Sequence, residues 1–327
     1  MSTTNLRALA AKAKDGVSVN DGEIAFLLDV ARTRPADLLP HAREIRLHHL
    51  GTKVGLCAII NAKSGRCGED CAFCRQSAHY GTDSPEYPLV DRETVLKAAQ
   101  TMRRGGAGRF AVVTSGKAPN AQELERIADM LADIKAAGLA ADASLGLLDA
   151  EALARLQRAG MSGYHHNLET SRSFFPSICT THAYDEDTDC VRRAVSAGLH
   201  VCSGGIFGLG ESWEDRVEMA LELKSLGVHS IPVNFLMPFE GTPLERQARL
   251  LPDEALAVIA VYRFLLPDKH IRICGGREST LGHDRKKEVH MAGASGLMIG
   301  DYLTSKGSDM GDDRREIEDL GLEPDKG

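Results

Sequence analysis

Several features that identify common protein classes are missing from this sequence of 327 residues. No apolar run approaches the roughly 18 residues that a membrane-spanning helix needs. The N-terminal stretch MSTTNLRALAAKAKDG lacks the apolar core and cleavage pattern of a secretory signal. The formal net charge is −7 and no stretch concentrates Lys and Arg, so there is no electrostatic footprint for nucleic acid. We therefore expect a cytoplasmic protein that binds neither membranes nor nucleic acid.

The eight cysteines are not expected to form a disulfide framework, because the chain is long and no secretory signal is visible. Metal binding or redox chemistry is the better expectation for some of them. Others should be ordinary buried thiols, since free cysteine is among the most buried residue types. Cys57, inside an apolar run, is the clearest candidate for that role, and Cys190 lies in a predicted helix and is expected to be structural.

Short apolar runs alternate with segments of helical periodicity from residue 54 onward, which is typical of repeated βα units. Predicted strands begin at Val54, Arg109, Ala140, Met161, Leu199, Val228, His270 and Ala294. Several of the helices between them end at a small or apolar residue followed by glycine, which favours a left-handed turn into the next strand. This pattern predicts an α/β fold, a (β/α)8 barrel of the TIM type. A doubly wound open sheet is the alternative.

The predicted barrel occupies residues 51–305. Residues 1–50 are expected to form an N-terminal helical extension, and residues 306–327 an acidic C-terminal tail that is solvated and locally helical. In a TIM-type barrel the active site lies at the carboxyl ends of the strands. The conspicuous polar residues of this sequence fall at those ends, so we expect them to share one site.

A compact cysteine motif carries the strongest chemical signal in the sequence. Cys67, Cys71 and Cys74 have C-x3-C-x2-C spacing within SGRCGEDCAFCRQSAHY. Thiolates are soft ligands that select zinc or iron–sulfur clusters. Structural zinc sites close with four ligands, so a zinc site would need a fourth ligand such as His79. Three thiolates on a [4Fe-4S] cluster instead leave one iron open to a substrate group, which is the interpretation we favour.

The cysteine spacing, with an aromatic residue at Phe73, resembles the radical S-adenosylmethionine superfamily. Nearly the whole chain resembles the biotin synthase family, in stretches such as YHHNLETS, ICTTHAYDE, VCSGGIFGLGE, SIPVNFL, IRICGGRE and GDYLTSKG. The resemblance implies that the open iron binds S-adenosylmethionine, whose reductive cleavage gives a radical that abstracts hydrogen. It also implies sulfur insertion into dethiobiotin from an auxiliary iron–sulfur cluster, an electron donor such as flavodoxin or ferredoxin, and a homodimer.

Position by position, the resemblance assigns Asn167 and Glu169 to the ribose of S-adenosylmethionine, and Phe73 to the same cofactor. An amide and a carboxylate at i and i+2 on a strand would point to one side and could bind vicinal hydroxyls. Asn234 matches the residue that holds the ureido ring of dethiobiotin. His165 stands where the family often has asparagine and could play the same part, with packing inside the barrel as its alternative role.

The auxiliary cluster is where the sequence departs from the family pattern. Cys202 and Arg272 match two of its ligands, and an anion anchor is the alternative role for the arginine, which is an unusual metal ligand. The two other family cysteines fall on Ala111 and Asp142. We therefore hypothesise a differently ligated cluster, either [2Fe-2S] or a larger one of four irons. Its predicted cysteine ligands are Cys202, Cys274 and Cys179.

A further departure is Asp187, where the family commonly has an arginine that pairs with the carboxylate of S-adenosylmethionine. An acid there would repel that carboxylate, so another cation is needed, and His182, Arg192 and Arg193 are the nearby candidates. The leading functional hypothesis is a biotin synthase with an atypical auxiliary cluster. A related mutase or maturase that acts on a small amino-acid-like substrate without sulfur insertion is the runner-up. A non-catalytic iron–sulfur scaffold or sensor is the third hypothesis.

Overall fold

The computed structural model describes residues 5–304 and 307–325. In that part of the chain the strands are β1 (Lys53–Lys63), β2 (Arg109–Thr114), β3 (Ala140–Ser144), β4 (Met161–His165), β5 (His200–Cys202), β6 (Gly205–Phe207), β7 (Ser230–Phe235), β8 (His270–Ile273), β9 (Gly296–Met298) and β10 (Glu323–Asp325). The helices are α1 (Leu6–Lys14), α2 (Asp21–Thr33), α3 (Leu38–Leu50), α4 (Arg92–Arg104), α5 (Ala121–Ala136), α6 (Ala150–Arg158), α7 (Tyr184–Ser196), α8 (Trp213–Ser225), α9 (Pro252–Leu265), α10 (Arg277–Arg285) and α11 (Met310–Asp319).

The strands form one parallel sheet that closes on itself. Hydrogen-bonded neighbours follow the order β1-β2-β3-β4-β5-β7-β8-β9, and β9 pairs back with β1. Strands β5 and β6 are two halves of the fifth barrel strand, since β5 pairs with β4 and both pair with β7. The predicted (β/α)8 barrel is therefore confirmed, and the open sheet is wrong.

Local sequence signals determine where the helices begin and end, and thus where each following strand begins. Helix α5 begins at a capping box, in which the Asn120 side chain accepts from the backbone of Glu123 and the Glu123 side chain accepts from the backbone of Asn120. Two of the predicted turn glycines, Gly138 and Gly160, have φ of 80° and 114°. This left-handed region is open to glycine at little cost, so each helix turns directly into the next strand.

The N-terminal helices cover one side of the barrel. Helices α1, α2 and α3 all pack against α9. Helix α9 is enclosed on every side, and even its Arg263 is fully buried and donates to the backbone oxygens of Gly293 and Lys269. A helix that is apolar all round fits such a position between two layers. Among the described residues, no helix is both long enough and apolar enough to cross a membrane.

The acidic C-terminal segment is packed onto the barrel, which corrects the expectation of a solvated tail. Strand β10 pairs in parallel with β1. Asp313 of α11 is fully buried, and it accepts a 2.6 Å hydrogen bond from Arg277 and lies 3.8 Å from Lys286. A buried carboxylate is stable only when it is paired in this way. The predicted boundary between the barrel and the tail, at residues 305 and 306, lies outside the described residues.

Candidate active site

A cavity of about 450 Å³ extends from the interior of the barrel to the loops that follow the strands. Twelve residues that the sequence nominated as ligands or as cofactor- or substrate-binding residues line it. These residues are Cys67, Cys71, Phe73, Cys74, His165, Asn167, Glu169, Cys179, Cys202, Asn234, Arg272 and Cys274. The barrel therefore brings together residues from positions 67 to 274 in one space, as expected for the carboxyl-end face of this fold.

The loop after β1 carries Cys67, Cys71 and Cys74. Its backbone folds back on itself: Ala78 donates to the Cys67 carbonyl at 2.7 Å and Cys74 to the Cys71 carbonyl at 2.9 Å. Burial, with a smaller effect of the nearby Cys67, raises the pKa of the Cys74 thiol to about 11. Three convergent thiols on one loop fit a site-differentiated iron–sulfur cluster. His79, the alternative zinc ligand, contacts the Gly68 carbonyl at 2.9 Å and does not line the cavity.

Asp70 connects this loop to the segment after β4 by hydrogen bonds. Nothing in the sequence indicated this role. Asp70 accepts hydrogen bonds from the backbone of Thr180 at 2.8 Å and of Thr181 at 3.2 Å, and the Cys179 thiol lies 3.3 Å away. Burial opposes its ionisation, but these hydrogen bonds outweigh burial and hold the pKa of Asp70 well below its usual value. Only the fold brings residue 70 to residue 180, so no local pattern could have indicated this contact.

Asn167 and Glu169 lie in the loop after β4, not on a strand as predicted. They nevertheless sit side by side, because Asn167 Nδ2 donates to Glu169 Oε2 at 3.2 Å. Glu169 has φ of 64°, a left-handed conformation that is uncommon for a non-glycine residue and is concentrated at functional sites. Burial raises the pKa of Glu169 to about 7. The pair offers a carboxylate and an amide to a polar ligand in the cavity.

Two polar side chains face the cavity from barrel strands β4 and β7. His165 ends β4, and burial lowers its pKa, so the imidazole is neutral near pH 7. Asn234 on β7 accepts from the Gly275 backbone at 2.9 Å and donates to the Gly205 carbonyl at 3.2 Å. These two bonds fix the amide plane and leave one N–H and one oxygen lone pair for a ligand.

Asp187 is paired with two histidines, which accounts for an acid at a position where the family commonly has arginine. Its two carboxylate oxygens lie 2.8 Å from His166 Nε2 and 3.2 Å from His182 Nε2. The other nitrogen of His182 lies 2.5 Å from Glu69 Oε2. Hydrogen bonding to Asp187 and then to Cys179 raises the pKa of His182 to about 11. Of the three candidate cations, His182 is the one that lines the cavity.

Arg272 lies across the inner end of the cavity on β8. Its Nε donates to Ser230 Oγ at 2.8 Å and one Nη to the Gly55 carbonyl at 3.3 Å. Glycines make room for it: a Cβ at Gly296 would be 2.8 Å from Arg272 Cγ, and one at Gly55 would be 3.1 Å from its Nη1.

Three thiols are close enough to this guanidinium to interact with it electrostatically: Cys57, Cys202 and Cys274. Burial raises the pKa of each, and the charges of Cys57 and Cys202 raise that of Cys274 further, while Arg272 lowers it. Cys57, which we expected to be an ordinary buried thiol, is only partly buried and lines the cavity. Buried Leu56 and Ala58 flank it on β1, so its alternation with them was the signal.

Cys179, which the sequence hypothesis gave to the auxiliary cluster, lies next to the three-cysteine loop. Its Sγ lies 4.0 Å from Cys71 Sγ and 3.3 Å from His182 Nδ1, at the mouth of the site. Asp142, where the family has a thiol, accepts two hydrogen bonds from Arg109 at 2.6 and 2.7 Å. Cys190 is fully buried in α7 near the Gly146 carbonyl and does not line the cavity.

Comparison with known families divides the chain into two matched parts. Residues 62–223 match the Radical SAM superfamily. Residues 232–323 match the Biotin and Thiamin Synthesis associated domain. The first match includes the three-cysteine loop and strands β2 to β6, and the second begins within β7 and ends at the first residue of β10.

Curated relatives match nearly the whole chain. Proteins named biotin synthase from Geobacter sulfurreducens and Citrifermentans bemidjiense are 50% and 49% identical to it, over 96% and 94% of this chain and the same shares of their own length. Among solved structures, methylornithine synthase superposes with a TM-score of 0.84 at 22% identity, covering 97% of each chain. HydG, a maturase of the [FeFe]-hydrogenase, has a TM-score of 0.82 at 19% identity, over 98% of this chain and 75% of its own. These two structures share the fold.

Proposed function

Because this chain belongs to the biotin synthase family of radical S-adenosylmethionine enzymes, we propose that it inserts sulfur into dethiobiotin to form biotin, with the sulfur taken from an auxiliary cluster. One observation carries this proposal. A single cavity connects the three thiols of the loop after β1 with a second group of thiols around Arg272 at its inner end. A substrate between the two groups could lose hydrogen towards the first and receive sulfur from the second.

The residues at the mouth fit the radical-generating cofactors. Cys67, Cys71 and Cys74 would hold the [4Fe-4S] cluster, and this cluster with S-adenosylmethionine supplies the hydrogen-abstracting chemistry when both are bound. Asn167 and Glu169 would bind the ribose hydroxyls, the amide as donor and the carboxylate as acceptor. Phe73 also lines the cavity and would pack against the same cofactor. His182 offsets the charge of Asp187, so a ligand carboxylate would not be repelled.

The middle of the cavity fits the ureido group of dethiobiotin. A cyclic urea presents one carbonyl oxygen and two N–H groups. Asn234 has one free N–H and one free lone pair, which matches that pattern, and the neutral His165 can donate or accept a further hydrogen bond. Because both side chains lie on barrel strands, they would hold the substrate in a fixed position relative to the cofactors.

Cys57, Cys202 and Cys274 are the residues we propose as ligands of the auxiliary cluster, with Arg272 as ligand or as the cation that offsets its charge. Thiolates select iron–sulfur clusters. The glycine cradle of Gly55 and Gly296 supports this role, since it lets a long side chain lie flat against the sheet. Cys57 takes the place that the sequence hypothesis gave to Cys179.

We further propose that the enzyme works in the cytoplasm as a homodimer and receives electrons from flavodoxin or ferredoxin. The family assignment supports these points. A net charge of −7 without a basic patch supports the absence of nucleic acid among its partners.

Two measurements test the proposal. Reduced, reconstituted enzyme with S-adenosylmethionine should form 5′-deoxyadenosine faster when dethiobiotin is added, and biotin should accumulate. No stimulation by dethiobiotin would refute sulfur insertion. In parallel, Cys57→Ser should lower the iron and sulfide content of the reconstituted protein, while Cys190→Ser should leave both unchanged. Wild-type protein that takes up no more iron than one [4Fe-4S] cluster would refute the auxiliary cluster.

The runner-up hypothesis is a mutase or maturase without sulfur insertion. It is supported only by the similarity of this fold to those of methylornithine synthase and HydG. Both solved structures described above share less than a quarter of their residues with this chain. About half of the residues are identical in the biotin synthase relatives. Stimulation of 5′-deoxyadenosine formation without biotin production would favour this hypothesis over the leading one.

A further inference from the structure

Cys179 has no place in the proposed auxiliary cluster, yet it lies among other metal-binding groups. Cys179 Sγ, His182 Nδ1 and a Glu69 carboxylate oxygen all lie within 4.8 Å of one another. Each is largely or fully enclosed, and each lines the cavity. A thiolate, an imidazole and a carboxylate form the mixed donor set that Zn²⁺ and Fe²⁺ accept.

The three donors are held by the kind of outer partners that metal sites use. His182 Nε2 lies 3.2 Å from Asp187 Oδ2, so its other nitrogen is directed towards Cys179 and Glu69. A carboxylate behind a ligating histidine fixes the ring and its tautomer. Thr181 Oγ1 donates to Glu69 Oε2 at 2.7 Å. The ligand set is therefore organised before any ion arrives.

The donor distances are close to those of a coordinated ion. Ligands at about 2.0–2.3 Å from one tetrahedral ion are about 3.3–3.7 Å apart. Cys179 Sγ and His182 Nδ1 are 3.3 Å apart, and Glu69 Oε2 would move by about 1 Å from its 2.5 Å contact with the same nitrogen. Three protein ligands leave one coordination position open, which permits exchange of the ion.

The nearest further thiol is Cys71, whose Sγ is 4.0 Å from Cys179 Sγ. Cys71 is one of the three cysteines of the radical cluster loop. We propose that Glu69, Cys179 and His182 bind Fe²⁺ in the cluster-free chain and pass it to Cys71 during cluster assembly. Binding displaces the Nδ1 proton of His182, and any proton carried by Cys179 Sγ, to solvent, and the oxidation state of iron does not change.

Cobalt(II) is the probe for the site, because its thiolate complexes absorb visible and near-ultraviolet light. The full chain with Cys67, Cys71 and Cys74 all replaced by serine cannot build the radical cluster and is titrated without oxygen. Adding Cys179→Ser should remove about one cobalt ion per chain, as one site predicts. Cys190→Ser is the matched control and should remove none. Equal cobalt binding with and without Cys179→Ser would overturn the proposal.

Two further readouts separate an ion-delivery site from a structural role. Asp187→Asn should weaken cobalt binding about tenfold without changing its stoichiometry, as outer partners of metal sites do. In the chain with an intact cysteine loop, Cys179→Ser should slow cluster assembly at limiting Fe²⁺ but reach the wild-type iron content. A lower final iron content, or an unchanged rate, would overturn delivery. None of these measurements needs turnover, so their failure is distinguishable from failure of sulfur insertion.

Discussion

The buried charge of Glu169 should lower the free energy of unfolding of the ligand-free protein. Replacing it with the neutral side chain in Glu169→Gln should therefore stabilise the fold. The pKa of this buried carboxyl is raised from 4.5 to about 7. At roughly 1.4 kcal/mol per pH unit, its ionised form is destabilised in the folded state by about 3 kcal/mol. Between these two values the folded state binds more protons than the unfolded state. The free energy of unfolding therefore falls as pH rises from about 4.5 to 7.

Glutamine is neutral and nearly isosteric, and it keeps the left-handed backbone at this position. We expect Glu169→Gln to raise the unfolding free energy of the cluster-free protein by up to about 3 kcal/mol at pH 8 and by about 1 kcal/mol or less at pH 5. Urea unfolding at both pH values measures this. Glu240→Gln, at an exposed position, is the control and should change neither value. A gain that is absent at pH 8, or equal at both pH values, would refute the reasoning.

Three further predictions concern other parts of the molecule. Asp313→Ala should lower the unfolding free energy by about 3–5 kcal/mol, because it leaves the buried Arg277 without its carboxylate partner. The exposed-pair control Asp312→Ala should cost less than about 1 kcal/mol, and urea unfolding compares the two variants. Gly163→Ala places a Cβ 2.4 Å from the Asp142 carboxylate and should cost about 1–3 kcal/mol, while Gly81→Ala, with no atom within 4 Å, should be nearly neutral. Asn167→Ala should weaken equilibrium binding of S-adenosylmethionine about tenfold, and unchanged affinity would contradict the ribose assignment.

The fold was predictable because its signals are local and repeated. All eight predicted strands lie in the closed sheet, since each apolar run is short enough for a strand and is followed by a helix with its own start and stop signals. The C-terminal segment was not predictable in the same way. Its acidic composition suggested solvent, but Asp313 is buried against Arg277, which lies in α10. Charge pairing between distant segments leaves no trace in local composition.

In the candidate site, too, the features with local sequence signals were predictable and the contacts between distant segments were not. The three-cysteine loop is a local motif, so its spacing alone indicated its chemistry. The inner group depends on strand alternation: Cys57 and Cys202 face the interior because of their positions on β1 and β5, and that periodicity was readable although it was not used for Cys57. Cys179 lies in a loop, where no period applies. Its position beside Cys71 follows from Asp70, which binds the loop of Cys179 to the loop of Cys71 across more than one hundred residues of sequence. Ala72 donates to the Ile178 carbonyl and Thr181 to Glu69 across the same two loops, and these contacts together are the reason that we assign Cys179 to the mouth of the site.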